Sequence, residues 1–344
     1  MLGMSSVQVT SSRADFADAT KGLILVKGIA GLGNRMLAFL TASLFAVTTG
    51  RRLIVDWRDP IYTGRGGIAP DLFSDLFVSP LVNQLPERIE ARSVVPALWQ
   101  GRLDETLAVV GRSHDPKFYK RFGSFRYLAV DLRRIDYADD VLPVFWSWRE
   151  VLRPLRPYLS RIDERFPGMS DWELLREAAK RYLQPCERIR AAVDRYVAER
   201  FTRRMLGLHI RATDALAPVG KLIRTAKRLV REQKCDGVFL ATDNAQMEER
   251  MRRTLPNVVM LPKQMPKEVV PLHYDPACKD RVERAAQALM DVLLLSRCHC
   301  LSYSSRSSFG YVASILAPAG QLSVDVDRFH PIIRAKKYVQ SWIY

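Results

Sequence analysis

Residues 23–57 read LILVKGIAGLGNRMLAFLTASLFAVTTGRRLIVDW. Leu23 to Lys27 is a short apolar run of strand type, and Gly28 to Asn34 (GIAGLGN) is a glycine-rich turn. Met36, Leu37, Leu40, Leu44 and Val47 then recur at helical spacing, and Gly50 supplies a stop. Leu53 to Trp57 (LIVDW) is a second strand. Strand, glycine turn, helix and strand within about 35 residues make a βαβ unit, whose strands lie parallel in one sheet.

Moving outward from this unit, residues 1–21 read as a flexible tail of small and polar residues without a signal-peptide core. Residues 60–150 are rich in Pro, Gly and Arg, with short apolar runs at Val94-Val95 and Tyr127 to Val130 and an aromatic cluster at 144–149 (VFWSWR). Leu152 to Leu159 carries two prolines and reads as a connection. Trp172 to Tyr182 and Glu187 to Phe201 read as helices. Strands and helices then alternate again. Met205 to Ile210, Gly237 to Ala241, Val258 to Leu261, Cys298 to Ser302 and Gln321 to Val326 are expected strands. Helices are expected between them, including a long one at Arg281 to Ser296 and another at Ser307 to Leu316. Two doubly wound α/β domains follow, 22–200 and 201–344.

The charge is uneven. The chain has 53 Lys+Arg against 37 Asp+Glu, a net of +16. Residues 1–200 hold 30 against 24, whereas 201–344 hold 23 against 13. Lys221, Arg224, Arg228 and Arg231 recur at helical spacing, with Lys227 and Lys234 beside them. This is a solvated helix face or a surface for an anionic partner. No nucleic-acid signature is present, and aromatic residues do not interleave with the basic cluster, which reads against nucleic acid. The longest apolar run, Met36 to Val47, is about half a membrane span, leaving peripheral contact as the membrane option. Five cysteines in 344 residues form no disulfide framework. Cys298-His299-Cys300 has a poor zinc spacing, and its two thiols share a face if the segment is a strand. The expected setting is the cytoplasm.

Ligands of open α/β sheets sit beyond the carboxyl ends of the strands. Four polar clusters fall there. They are Gly31-Leu32-Gly33-Asn34-Arg35, His209-Ile210-Arg211-Ala212-Thr213-Asp214, Thr242-Asp243-Asn244 and Ser304 to Ser308. Arg211 can fork onto two phosphate oxygens. Ser307 and Ser308, at a helix start, suit an anion. Asp243 can accept from a base or ribose hydroxyl. Gly31 and Gly33 let the backbone approach a ligand closely. Plainer readings compete: Asp243-Asn244 and Ser307-Ser308 as helix caps, and His209 as a core histidine. The glycine turn is not G-x-G-x-x-G, and Asp56 is the only acidic residue near the spacing a dinucleotide fingerprint needs, which reads against a nicotinamide oxidoreductase.

The runs MLGLHIRATDAL (205–216), VFLATDNAQMEERMRRTLPNV (238–258) and RAAQALMDVLLLSRCHCLSYSSRSSFGYVASIL (284–316) resemble the donor domain of the nodulation-protein-Z-type fucosyltransferases, relatives of the eukaryotic core α-1,6-fucosyltransferase. GIAGLGNRMLAFLTASLFAVTTGRRLIVDWRD (28–59) is similar to that family's opening segment. The resemblance spans about 22–58 and 183–325 and leaves 60–180 unmatched. It implies a GT-B-like pair of Rossmann-like domains facing a cleft. It also implies inverting transfer of fucose from GDP-fucose to a hydroxyl of a glycan or lipid-linked oligosaccharide, without a metal or other cofactor. By position, His209 and Arg211 match the family's H-x-R, Asp243 its A-T-D, Asp291 an acidic position that contacts the nucleotide, and Ser307 the serine near the phosphates. Two positions depart: Ala212 replaces a second basic residue, and Val219 stands where the family's proposed base would be. That leaves the base unassigned; Asp214 is the nearest carboxylate in sequence, with a loop or cap hydrogen bond as its competing reading. A transferase for another nucleotide sugar and a non-catalytic GDP-sugar or polyanion binder remain alternatives. Residues 60–180 are assigned to the acceptor side, where Trp146 and Trp148 are core residues or sugar platforms.

Overall fold

In a computed structural model, residues 22–63, 71–118, 125–212, 217–263, 278 and 280–343 are described. The expected tail at 1–21 and Asp214 lie outside them. Twelve strands run through the described residues: β1 (Leu23–Lys27), β2 (Arg52–Asp56), β3 (Phe77–Val78), β4 (Val82–Asn83), β5 (Ser93–Val95), β6 (Val141–Phe145), β7 (Gln184–Pro185), β8 (Met205–Ile210), β9 (Gly237–Thr242), β10 (Val258–Val259), β11 (Cys300–Tyr303) and β12 (Leu322–Asp325). They form two five-stranded sheets, ordered β4-β2-β1-β6-β5 and β10-β9-β8-β11-β12, and an antiparallel pair, β3-β7. Both large sheets are parallel throughout. The α/β reading from the sequence therefore holds.

The central strands are apolar because both their faces are covered. Each residue of β1, β8 and β9 is buried. Helix α1 (Leu32–Thr49) follows β1 and is buried on nearly every side, as an all-round apolar helix must be. It ends at Gly50, whose φ of 69° turns the chain out while its N–H caps the carbonyls of Ala46 and Val47.

Two more helices follow the first sheet. The Ser170–Glu173 capping box starts α2 (Asp171–Tyr182), and α3 (Glu187–Arg200) comes next. The second sheet carries α4 (Val219–Glu232), α5 (Ala245–Thr254), α6 (Arg281–Ser296), α7 (Ser308–Leu316) and the terminal α8 (Pro331–Ile343). Helix α2 packs on both α1 and α7, and α3 packs on α6. A single core therefore runs from Val26, Phe39 and Phe45 to Phe239, Leu289 and Val312, and the two sheets are joined through their helices.

Several boundaries differ from expectation. The strand expected at Cys298 to Ser302 begins at Cys300. The Gln321 amide donates to the carbonyls of Leu295, Ser296 and Cys298, holding a turn where the strand was expected to start. Cys298 and Cys300 consequently do not share a face: Cys298 belongs to the core around α6, and Cys300 meets Cys235 across the sheet, Sγ to Sγ 3.6 Å. The connection expected at 152–159 is a 3-10 turn, Arg153–Arg161. Trp146 is fully buried, and Trp148 packs partly buried against the same cluster.

Candidate active site between the two sheets

A cavity of about 810 Å³, counted to its open mouth, lies between the two halves at the carboxyl ends of the central strands. The register of β8 against β9 builds its floor. His209 pairs with Ala241 and Ile210 with Thr242, so Arg211 and Asp243 leave adjacent strands together. Asp243 Oδ1 accepts the backbone N–H of Ala212 at 2.8 Å, which fixes the turn carrying Arg211. The cap reading belongs to the next residue: Asn244 Oδ1 accepts from the N–H of Met247 and starts α5.

His209 stacks on Phe309, ring centroids 5.0 Å apart. Burial, with Arg211 and Lys263 adding positive charge, pushes its imidazole down to about 3. The ring is therefore neutral at physiological pH. It is a buried histidine and also part of the cavity wall.

The serine cluster is held from beneath. Asp325 accepts the N–H of Ser305 at 3.0 Å, and Asp327 accepts from Ser304 Oγ and from Arg306 Nε. Ser307 is the N-cap of α7, its Oγ accepting from the N–H of Phe309. Ser307, Ser308 and Phe309 then face the cavity. The helix cap and the cavity lining thus fall on one loop.

The opposite wall comes from β1's turn. Gly31, Leu32 and Gly33 line the cavity, together with Tyr62. A Cβ on Gly33 would stand 2.8 Å from Ser308 Oγ and 3.1 Å from the N of Phe309. The glycine thus permits contact between α1 and α7, beyond any approach to a ligand. Asn34 and Arg35, expected at the ligand, do not line the cavity. Asn34 Oδ1 accepts from Ser308 Oγ across the two halves. Arg35 is buried behind the wall, donating to the carbonyls of Ala30 and Trp57 at 3.0 Å and to Asp59, with its guanidinium over the Tyr62 ring. Burial pushes the Tyr62 phenol up to about 12, which leaves it a neutral hydrogen-bonding group.

Helix α6 supplies a face that the sequence reading only touched. Arg284, Gln287, Ala288 and Asp291 line the cavity at spacings of three, four and seven. Asp291 forms a 2.6 Å ion pair with Lys263, both side chains 5% exposed. Burial raises the Asp291 carboxyl, with Lys263 opposing the shift. Asp291 Oδ1 and Thr242 Oγ1 are buried without a hydrogen-bond partner; an incoming group with donors fits both. Lys263, Arg284, Gln287, Tyr62 and Phe309 were not picked out from the sequence. Helical spacing from Asp291 is the signal that would have found Arg284 and Gln287. No local pattern marks Lys263. Val219, at the start of α4, packs against the core cluster under that helix.

Comparison with known proteins supports one lineage. Residues 168–335 match the family model described as Nodulation protein Z. Nodulation protein Z of Azorhizobium caulinodans is 25% identical over 317 residues, covering 83% of this chain and 86% of that protein. The fold is similar to the crystal structure of fucosyltransferase NodZ from Bradyrhizobium, with a TM-score of 0.54, 20% identity, and 87% of this chain and 94% of that one covered. It is also similar to POFUT1 in complex with GDP, with a TM-score of 0.54, 12% identity, and 89% and 99% covered. The chain is thus similar to nodulation protein Z in sequence and to fucosyltransferase NodZ in fold over most of its length, and the family model matches its residues 168–335.

Proposed function

We propose that this protein is an inverting, metal-independent fucosyltransferase that moves fucose from GDP-fucose to a hydroxyl of a glycan or oligosaccharide. The observation that carries the reading is the convergence of Arg211, His209, Asp243, Asp291, Ser307 and Ser308 on one cavity between two parallel sheets. Homologues named for fucosyl transfer and for GDP or GDP-fucose complexes support it.

In this reading the acceptor oxygen attacks the anomeric carbon of fucose from the side opposite the diphosphate, and the bond to GDP breaks. Negative charge then grows on the leaving phosphate. Arg211 stabilises it as a fixed cation, assisted by Ser307, Ser308 and the N-terminus of α7. The acceptor proton needs a carboxylate, a role we give to Asp214. Asp291 and Thr242, with their unpartnered oxygens, receive donors of the base or ribose. His209 is neutral and acts by packing and hydrogen bonding rather than as an acid. A cytoplasmic setting is proposed on the five free thiols.

The test is incubation with GDP-fucose and a panel of glycan acceptors, read by mass spectrometry. A mass gain of one deoxyhexose on an acceptor is expected. GDP binding without transfer to any acceptor would leave a donor-binding protein only. Stronger thermal stabilisation by UDP than by GDP would point to a different nucleotide sugar.

A further inference from the structure

The basic helix singled out by sequence, α4, proves to offer charge alone. Lys221, Arg224, Lys227, Arg228, Arg231 and Lys234 are exposed, while Leu222, Ile223, Ala226 and Leu229 are buried in the core. Helix α8 is different. Ile332, Ala335 and Val339, at spacings of three and seven on one face, are all exposed, as is Tyr338 beside them. Phe329, just before the helix, is 80% exposed and Ile332 72%. Phe329, Ile332, Tyr338 and Val339 are four of the eight exposed large hydrophobic residues among those described. They crowd into eleven positions rather than scattering over the surface. Arg334 projects from the side opposite Ile332 and is also exposed, and Arg328 lies over the Phe329 ring. Residues 328–344 hold four Lys or Arg and no Asp or Glu.

We propose that α8 and the turn before it form an interfacial anchor, which lays Phe329, Ile332, Tyr338 and Val339 into the surface of an anionic lipid bilayer. The apolar face enters the boundary between headgroups and acyl chains, and the cations meet anionic headgroups. Charge complementarity selects this occupant. A second copy would bring four more Lys or Arg, and no acid, against the four already present in 328–344. An apolar protein groove would leave those cations without counter-charge. A bilayer rich in anionic headgroups satisfies both parts. The proposal concerns a surface apart from the cavity and does not depend on which sugar is transferred.

The test is co-sedimentation of the full chain with vesicles of phosphatidylcholine alone and of phosphatidylcholine with phosphatidylglycerol. Binding to the anionic vesicles only is expected, weakening as salt is raised. Ile332→Glu/Val339→Glu removes apolar contact and is expected to abolish it. Arg328→Gln/Arg334→Gln is expected to weaken it about thirtyfold, given roughly 1 kcal/mol for each of the two basic residues near such a surface. Unchanged thermal stabilisation by GDP shows that the variants remain folded. Absence of wild-type binding overturns the proposal. So does anionic-vesicle binding that the Ile332/Val339 variant retains, which would assign it to the charges of α4. A dimer seen by light scattering and dissociated by Ile332→Glu/Val339→Glu would overturn it in favour of a second copy.

Discussion

Arg211 and His209 sit two residues apart on one strand end and do opposite things with charge. Arg211 provides a fixed cation at the cavity, and His209 is kept neutral by burial and by that cation. Arg211→Ala is expected to cut turnover by about 10²–10³-fold, the range found when one preorganised electrostatic contact is removed. Its unfolding temperature without ligand should stay near wild type, and normal turnover would remove Arg211 from the mechanism. For His209, the folded imidazole titrates near 3 and the unfolded one near 6.5. Between those values the unfolded chain holds a proton that the folded chain rejects. The stability is therefore complete above about pH 6.5 and is lost progressively as pH falls. Urea midpoints measured across this range should drop more steeply for wild type than for His209→Asn; equal slopes would show that the imidazole titrates normally.

Elements carry the site by touching across the two halves. Helix α1 meets α7 where Gly33 faces Ser308, and Asn34 accepts the Ser308 hydroxyl. Both atoms nearest a new Cβ belong to the N-terminal turn of α7, one of them backbone. Gly33→Ala should therefore push α7 away from α1 and cost about 1–3 kcal/mol by overpacking. Because Ser307 and Ser308 ride on that turn, GDP affinity should fall as well, measurable by calorimetry. A variant with unchanged stability and unchanged affinity would show that the contact is looser than described. Helix α6 acts similarly: one face holds the core through Leu289 and Val292, and another presents Arg284, Gln287 and Asp291. The β11 boundary shows why element ends are hard to read. Cys298 and His299 have strand-like neighbours in sequence, but a distant glutamine, Gln321, takes the carbonyls of Leu295, Ser296 and Cys298 itself.

At the scale of the molecule, cations replace a metal in the proposed mechanism. Arg211, Lys263 and Arg284 all reach one cavity. Transfer is therefore expected to persist in excess chelator; strict dependence on a divalent ion would refute the metal-independent reading. The +16 charge divides between roles. A diphosphate needs only a few cations, α4 bears a solvated basic face, and the positive stretch from Arg328 onward accompanies exposed apolar residues. No described helix is long and apolar enough to cross a membrane.

Local periodicity was enough to read the βαβ unit that opens the first sheet and the five strands of the second, whereas β4, β5 and β6 of the first sheet are too short or too irregular in pattern to stand out. Strand and helix repeats are written within a few residues of each other, and parallel strands follow from the crossover between them. It was also enough to put His209, Arg211, Asp243, Ser307 and Ser308 at strand ends, where an open sheet binds ligands. Tertiary packing decided the rest. It turned Arg35 inward onto Asp59 and Trp57, and it brought Lys263 to Asp291 and Tyr62 to the cavity wall. It buried the apolar side of α4 and left that of α8 exposed. Such choices depend on which side chains converge from elements far apart in the chain. Their energies come from burial and charge pairing that no single segment contains.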